Sequence, residues 1–194
     1  NGWHYNLIEA FDQPWKRASE GAVGGYWGLF DADRQDKGIL AGPVSNLPYW
    51  PQWLGAGAVI FLGTLILGGR VRSRRAALLL PLLGALAACT IGTWGELARV
   101  TSRFTGEWCW AGLLLGLNLL ILAHAALALS PREGWRLRAF NALEKRAGWL
   151  LATAGFAAAV MMLELVFDPR YRSFPSAALV LPGLYFATHN PDKF

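Results

Sequence analysis

Ionisable residues are scarce in this 194-residue sequence: 16% of its residues are charged, whereas 54% are hydrophobic and 13% are aromatic. That balance excludes an ordinary soluble domain, in which about a quarter of the residues are charged. The net charge of +5 is uneven, because residues 1–52 carry four basic and six acidic groups and residues 53–194 carry fourteen and seven. The basic residues lie in short loops between apolar runs, so the sequence predicts no nucleic-acid binding.

Cysteine is nearly absent, which excludes a disulfide framework and a cysteine-based zinc site. The two cysteines, Cys89 and Cys109, fall in or beside apolar runs without metal-type spacing, and we expect both to be buried thiols. The sequence predicts neither a metal nor a cofactor. An initiator methionine and a signal peptide are also missing. We therefore expect the chain to be the carboxyl-terminal piece of a longer protein.

Long apolar runs dominate the chain after Tyr49, and they predict a mainly α-helical, integral membrane bundle of four to five spans. A fifth run, Ser176–Thr188, is too short to cross and is interfacial, re-entrant or cut off by the chain end. The predicted spans are Trp53–Gly69, Ala76–Gly95, Trp108–Ser130 and Gly148–Phe167. We divide the chain into residues 1–48 and a transmembrane domain, residues 49–194.

Loops rich in arginine and lysine alternate along the chain with loops that hold few of them, and this alternation predicts the orientation of the spans in the membrane. The loops after the first and third spans hold four and five of them, whereas the loops after the second and fourth hold two each. The rich loops are therefore expected in the cytoplasm. This places the amino-terminal segment outside the inner (plasma) membrane, in the periplasm of a Gram-negative cell.

Small and polar residues within the spans indicate helix contacts. Small side chains recur every four residues, and they predict close helix packing or, alternatively, association between chains. The small residues are Gly84, Ala88 and Gly92 in the second span and Gly112 and Gly116 in the third. Asn118 and His124 are the polar groups deep in the third span, and for His124 we expect packing or hydrogen bonding. For Glu164 we expect an ion pair with Arg170 or Arg172. The arginine-rich loop Pro131–Gly148 predicts an amphipathic helix at the membrane surface.

The amino-terminal segment carries the candidate chemistry. Tyr5–Phe11 has the length and composition of one buried strand, and Pro14 should end it. The polar cluster Asp12–Lys16 follows directly. Carboxylate, amide, ammonium and indole groups at the carboxyl end of a strand are typical of the site of a (β/α) barrel.

The two blocks Ile8–Lys16 (IEAFDQPWK) and Gly25–Asp31 (GYWGLFD) resemble glycoside hydrolase family 17, the barrels that cleave or transfer β-glucan. The resemblance is closest to its bacterial membrane-bound members, the β-(1,6)-glucan synthases or β-glucan glucosyltransferases. It implies that residues 1–48 are the last strand and following segment of a (β/α)8 barrel. The family's acid/base and nucleophile glutamates would then lie upstream of Asn1. Gln13 and Gly24 stand where many members have glutamate.

The resemblance implies an extracytoplasmic β-glucan as substrate and a retaining mechanism. Glu9 and Asp12 make a poor catalytic pair, because positions three apart on a strand face opposite sides. We therefore expect the polar and aromatic residues of the two blocks to contact the sugar or the missing glutamates and not to act as the catalytic pair. Asp12, Gln13 and Lys16 would hydrogen-bond sugar hydroxyls or orient those glutamates. Glu9 would lie in the layer behind these three residues and would not contact the sugar itself. Trp15 and Trp27 would stack on pyranose rings or pack against barrel helices.

A second hypothesis is a non-enzymatic membrane scaffold or export partner of a polysaccharide-synthesis system, with a barrel remnant that has lost its site. Whether the coding sequence upstream of Asn1 supplies two glutamates decides between the two. A small-solute transporter is disfavoured, since charged residues are missing from the middle of the spans.

Overall fold

The computed structural model describes residues 8–42, 49–71, 73–102, 104–167 and 174–188, and within them the chain is mainly helical. The α-helices are α1 (Arg17–Glu20), α2 (Trp50–Gly68), α3 (Arg74–Thr101), α4 (Thr105–Leu129), α5 (Gly134–Glu144), α6 (Ala147–Phe167) and α7 (Val180–Thr188). Short 3-10 turns cover Pro14–Lys16, Ala22–Gly25 and Ser176–Ala178. No β-strand is formed by the described residues, in which only isolated bridges join Phe11 to Phe30 and Phe30 to Asp36.

Four helices, α2, α3, α4 and α6, are long and apolar enough to cross a membrane, and they coincide with the four predicted spans. Their ends differ from the apolar runs for local reasons. Helix α2 begins at Trp50 because Pro51 fits the first turn of a helix, where no amide donor is needed. The Ser73 side chain caps α3 by accepting a hydrogen bond from Ala76 N at 3.2 Å. Helix α3 continues to Thr101, and Glu96 and Arg99 pair across one of its turns at 2.9 Å.

The helix ends define two ends of the bundle. Trp50, Thr101, Thr105 and Phe167 lie at what we call the N-terminal end, where residues 8–42 dock. The turn after α2 and the whole of α5 lie at the other, arginine-rich end. Gly69 closes α2 with φ +58°, a left-handed conformation that glycine adopts without strain.

Small residues bring α2 and α3 into close contact. A Cβ added at Gly84 would lie 3.0 Å from the Phe61 ring, and one added at Gly57 would lie 3.3 Å from Ala88 Cβ. The Gly84, Ala88 and Gly92 set therefore packs against α2 within the chain. Next to Gly112 and Gly116 no atom lies within 4 Å of an added Cβ. Association between chains through those two glycines stays a prediction.

Residues 174–188, the C-terminal segment, lie among the spanning helices. Each of the three apolar clusters of the core is in contact with this segment. In the first cluster, Ala178 packs with Trp94, Leu114 and Met161. In the second, Leu181 packs with Ala87, Ile91 and Leu122. In the third, Tyr185 packs on Leu117, Ile121 and Ala154. Helix α7 has nine residues, too few to cross alone, as the sequence predicts.

Two buried polar side chains of α4 hold the C-terminal segment in place. The Asn118 amide donates to Ala178 O and to Leu114 O, both at 2.8 Å. The fully buried His124 has Nδ1 2.6 Å from the Tyr185 hydroxyl and Nε2 2.8 Å from Glu144 Oε2. The expected hydrogen-bonding role of His124 is confirmed, and its acidic partner comes from α5.

The amphipathic helix expected in the loop Pro131–Gly148 is present as α5. Its Phe140 is buried and lies 4.9 Å from the His124 ring between centroids, whereas Trp135 and Leu137 are exposed. Glu164 is exposed near the end of α6, and its expected partners Arg170 and Arg172 lie outside the described residues.

The expectation that Cys89 and Cys109 are buried is wrong, since both lie on the outer surface of the bundle. The physical reason is that a lipid-facing position favours apolar side chains as strongly as a core position does. An apolar run therefore does not tell the two kinds of position apart.

We predict that Tyr185→Phe lowers the free energy of unfolding by about 1–3 kcal/mol, because it removes a hydroxyl from a buried polar contact. The measurement is the midpoint of thermal unfolding in detergent micelles. Tyr26→Phe is the matched control, because Tyr26 is 42% exposed outside the bundle. Removal of its hydroxyl should change the free energy of unfolding by less than about 0.5 kcal/mol. Equal midpoints for the two variants would show that the hydroxyl does not hold α7.

Candidate functional site

The two sequence blocks, Ile8–Lys16 and Gly25–Asp31, pair with each other in the structure. Phe30 N donates to Ala10 O and Asp12 N donates to Phe30 O, both at 2.9 Å, and the rings of Phe11 and Phe30 lie 5.7 Å apart. The predicted strand Tyr5–Phe11 is not formed over Ile8–Phe11, where pairing is limited to one parallel bridge. A strand needs a longer ladder of partners than this short contact supplies. Tyr5–Leu7 lie outside the described residues.

Gly28 allows the two blocks to approach. A Cβ at this position would lie 2.2 Å from both Asp12 N and the carbonyl carbon of Phe11. No L side chain fits there, because real Cβ contacts do not fall below 3.0 Å. The glycine of the WGLF motif is therefore required by close backbone approach.

Asp12 and Lys37 stabilise the contact between the two blocks through hydrogen bonds. Asp12 Oδ1 accepts from Gly28 N at 2.9 Å and from Lys37 Nζ at 2.8 Å. Lys37 also donates to the carbonyls of Tyr26 and Gly28, both at 2.9 Å. The carboxylate of Asp12 thus holds the two blocks together from a position where its side chain is only 7% exposed. Lys37 was missed in the sequence, because it lies beyond both motifs in a stretch that reads as a polar turn.

Glu9 and Lys16 form a second ion pair, through Glu9 Oε1. The hydrogen bond from the Lys16 ammonium to this carboxylate raises the pKa of Lys16 above its ordinary value. The other oxygen, Glu9 Oε2, is buried and has no hydrogen-bond partner among the described residues. An unpartnered buried acceptor is unfavourable, so a ligand hydroxyl that reached this oxygen would satisfy it.

Trp15 and Trp27 flank the Lys16 ammonium, which lies 5.8 Å from the ring centroid of each. The two indoles are 69% and 48% exposed. We call Trp15, Trp27 and Lys16 the aromatic platform. Gln13 lies beside it, and its carbonyl accepts from Lys16 N at 2.9 Å to begin the 3-10 turn. The structure therefore brings five of the six predicted site residues to one place, with Asp12 beneath them in the contact between the blocks.

A shallow cleft of about 190 Å³ opens beside the contact between the blocks, and Asp12, Tyr26, Asp31 and Asp33 contribute to its lining. Ligand pockets usually begin at about 300 Å³. The cleft is therefore large enough for only part of a ligand. Asp31 Oδ1 is already occupied by the amides of Asp33 and Gln35.

Arg17 connects this segment to the bundle, and the motifs did not single it out. Its guanidinium donates to Ser102 O at 2.8 Å and to Val100 O at 3.1 Å, at the carboxyl end of α3. Carbonyls at a helix end lack partners within the helix and carry partial negative charge, so an arginine is well suited to them. Arg17 also passes beneath Gly25, where an added Cβ would lie 2.4 Å from Arg17 Cγ.

In the described part of the chain, His, Cys, Asp and Glu side chains form no group of three that could hold a metal ion. No protein-family model, no curated protein and no solved structure matches this chain.

Gly28→Ala should separate the two blocks, because the added methyl overlaps backbone atoms of Phe11 and Asp12. We expect amide hydrogens of residues 8–42 to exchange faster while the thermal midpoint of the bundle stays unchanged. Gly42→Ala is the matched control, since an added Cβ there meets nothing within 4 Å. Unchanged exchange in Gly28→Ala would refute the role given to this glycine.

Glu9→Gln should lower the pKa of Lys16 towards its ordinary value, because the charged hydrogen-bond acceptor is lost. The measurement is the pH dependence of acylation of Lys16, followed by peptide mass spectrometry. In the unmodified chain the raised pKa means that the pair stabilises the fold up to the ordinary lysine pKa. That stabilisation is lost as pH rises through the raised value.

Glu20→Gln is the comparison variant, because Glu20 raises the pKa of Lys16 only through its charge and makes no hydrogen bond to it. It should shift the acylation profile less than Glu9→Gln. Equal shifts would show that Lys16 responds to general charge and not to its partner.

Proposed function

We propose that this chain is the membrane-anchoring part of a β-glucan glucosyltransferase or glycosidase, and that residues 8–42 supply the edge of its sugar site. The observation that supports this best is the aromatic platform beside the Glu9–Lys16 pair. Two exposed indoles, an ammonium and a buried carboxylate oxygen without a partner lie together at one end of the helical bundle.

This combination of groups is suited to sugar binding. A pyranose ring has an apolar face that packs against an aromatic ring, and hydroxyls at its rim that need donors and acceptors. Trp15 and Trp27 offer the rings, Lys16 donates, and Glu9 Oε2 accepts. Solvent-exposed indoles are also costly on a surface that binds nothing, because their apolar area stays in water.

Catalysis needs further residues. A retaining glycosidase requires two carboxyl groups about 5–5.5 Å apart, one as acid/base and one as nucleophile. Glu9 and Asp12 are each engaged by a different lysine, Lys16 and Lys37. In our proposal the parent protein supplies the catalytic glutamates, and the glucosyl unit passes through a covalent intermediate to another glucan hydroxyl or to water.

The site would lie on the extracytoplasmic side of the inner (plasma) membrane. The aromatic platform and the arginine-rich turn after α2 belong to opposite ends of the bundle, and basic loops favour the cytoplasmic side. This location suits an enzyme acting on a growing extracellular or periplasmic polymer.

The test is calorimetric titration of the purified chain, in detergent micelles, with β-1,3- and β-1,6-linked gluco-oligosaccharides. We expect Trp15→Ala and Trp27→Ala each to weaken binding about two- to tenfold, the range of a single aromatic contact. Trp149→Ala is the matched control, because this indole is 78% exposed on α6, away from residues 8–42.

Absence of oligosaccharide binding, or equal weakening by all three substitutions, would contradict the proposal. The same result would favour the alternative of a non-enzymatic scaffold or export partner. The 194-residue chain alone should neither shorten β-glucan nor form new linkages, because the two glutamates are not part of it.

A further inference from the structure

The arginine-rich end of the bundle has a concentrated positive charge. In sequence, residues 69–75 and 130–146 contain nine basic and two acidic residues, a net charge of +7 in a chain whose total is +5. We call the exposed cations at this end the basic surface. It comprises Arg70, Arg74, Arg75, Arg132, Arg138, Lys145 and Arg146.

Arg136 joins the two segments into one surface. Its guanidinium donates to Leu67 O at 3.1 Å, at the carboxyl end of α2, and it lies against Gly69, where an added Cβ would be 2.3 Å from its Nη2. Helix α5 is thereby held directly next to the turn that carries Arg70, Arg74 and Arg75. The cations of the turn and of α5 consequently act on the same region.

The acidic residues do little to neutralise this surface. Glu144 turns towards the buried His124, with 2.8 Å between the two side chains. Glu133, just before α5, is the other acidic residue of these segments. The positive potential at this end is therefore largely uncompensated within the described chain.

Apolar side chains lie among the cations. Trp135 is 49% exposed, Val71 40% and Leu137 39%. Helix α5 is also fixed at the level where the spanning helices end, because its Phe140 is buried against His124. Indoles and aliphatic side chains beside cations at that level are typical of the boundary between lipid headgroups and acyl chains.

We propose that the basic surface binds the headgroups of anionic phospholipids in the leaflet at the arginine-rich end. The phosphodiesters interact with the arginines while Trp135, Val71 and Leu137 contact the upper acyl chains. A nucleic acid or a soluble polyanion would use the cations but leave these apolar side chains in water. The lipid uses both.

The test is native mass spectrometry of the full chain released from micelles containing phosphatidylglycerol and phosphatidylcholine in equal amounts. We expect phosphatidylglycerol to be retained preferentially, with the preference decreasing as salt increases. Each exposed arginine near an anionic surface contributes about a fivefold change in affinity. The combined variant R70Q/R74Q/R75Q/R138Q should therefore lose most of the preference.

The matched control is R70K/R74K/R75K/R138K, which keeps the charge and should keep the preference. If the glutamine variant does not fold, R138Q alone should lower the preference, and E133Q should raise it by adding net positive charge. A glutamine variant that is folded and retains the full preference would overturn the proposal. Displacement of phosphatidylglycerol by inorganic polyphosphate or an oligonucleotide at equal phosphate concentration would also overturn it.

Discussion

Inside a bilayer, every backbone amide and carbonyl has to find its partner within the protein, because hydrocarbon offers none. The stretch before α7 is the place where this constraint is hardest to meet, since the chain there is not α-helical. A 3-10 turn supplies the bonds from Ala178 N to Pro175 O and from Leu179 N to Ser176 O, and the Asn118 amide donates to Ala178 O. Because the C-terminal segment contributes to all three apolar clusters, the Asn118 amide holds in place a segment that packs against every part of the core.

Composition and periodicity were sufficient to predict the four long apolar helices and α5, because the length of an apolar run and the alternation of arginine with apolar residues are local properties of the chain. The arrangement of the C-terminal segment was not predictable in the same way. Its short run has the same composition whether it lies on the membrane surface or inside the bundle. The decisive contacts join Asn118 and His124 to Ala178 and Tyr185, about sixty residues later in the chain, and no spacing in the sequence marks such pairs.

The candidate site was partly readable for a related reason. The polar and aromatic residues of the motifs could be identified in the sequence as candidate site residues, and the structure brings the two blocks together through Gly28. The sequence did not indicate that the two carboxylates have different hydrogen-bond partners. Asp12 is engaged by Gly28 N and Lys37, whereas Glu9 keeps one buried oxygen without a partner among the described residues. That difference arises from which lysine reaches which carboxylate in three dimensions.

The segment that carries the aromatic platform is also tied to the membrane domain through the end of α3. Arg17 donates to Val100 O and Ser102 O, and Arg99 lies 4.1 Å from the Tyr49 ring centroid while it pairs with Glu96. Glu96 also accepts from the Trp53 indole at 2.6 Å, which links α2 to the same point. Lifting residues 8–42 away would leave the two carbonyls at the end of α3 without the Arg17 guanidinium. A ligand bound at the platform would therefore be held at a fixed distance from the end of the helical bundle.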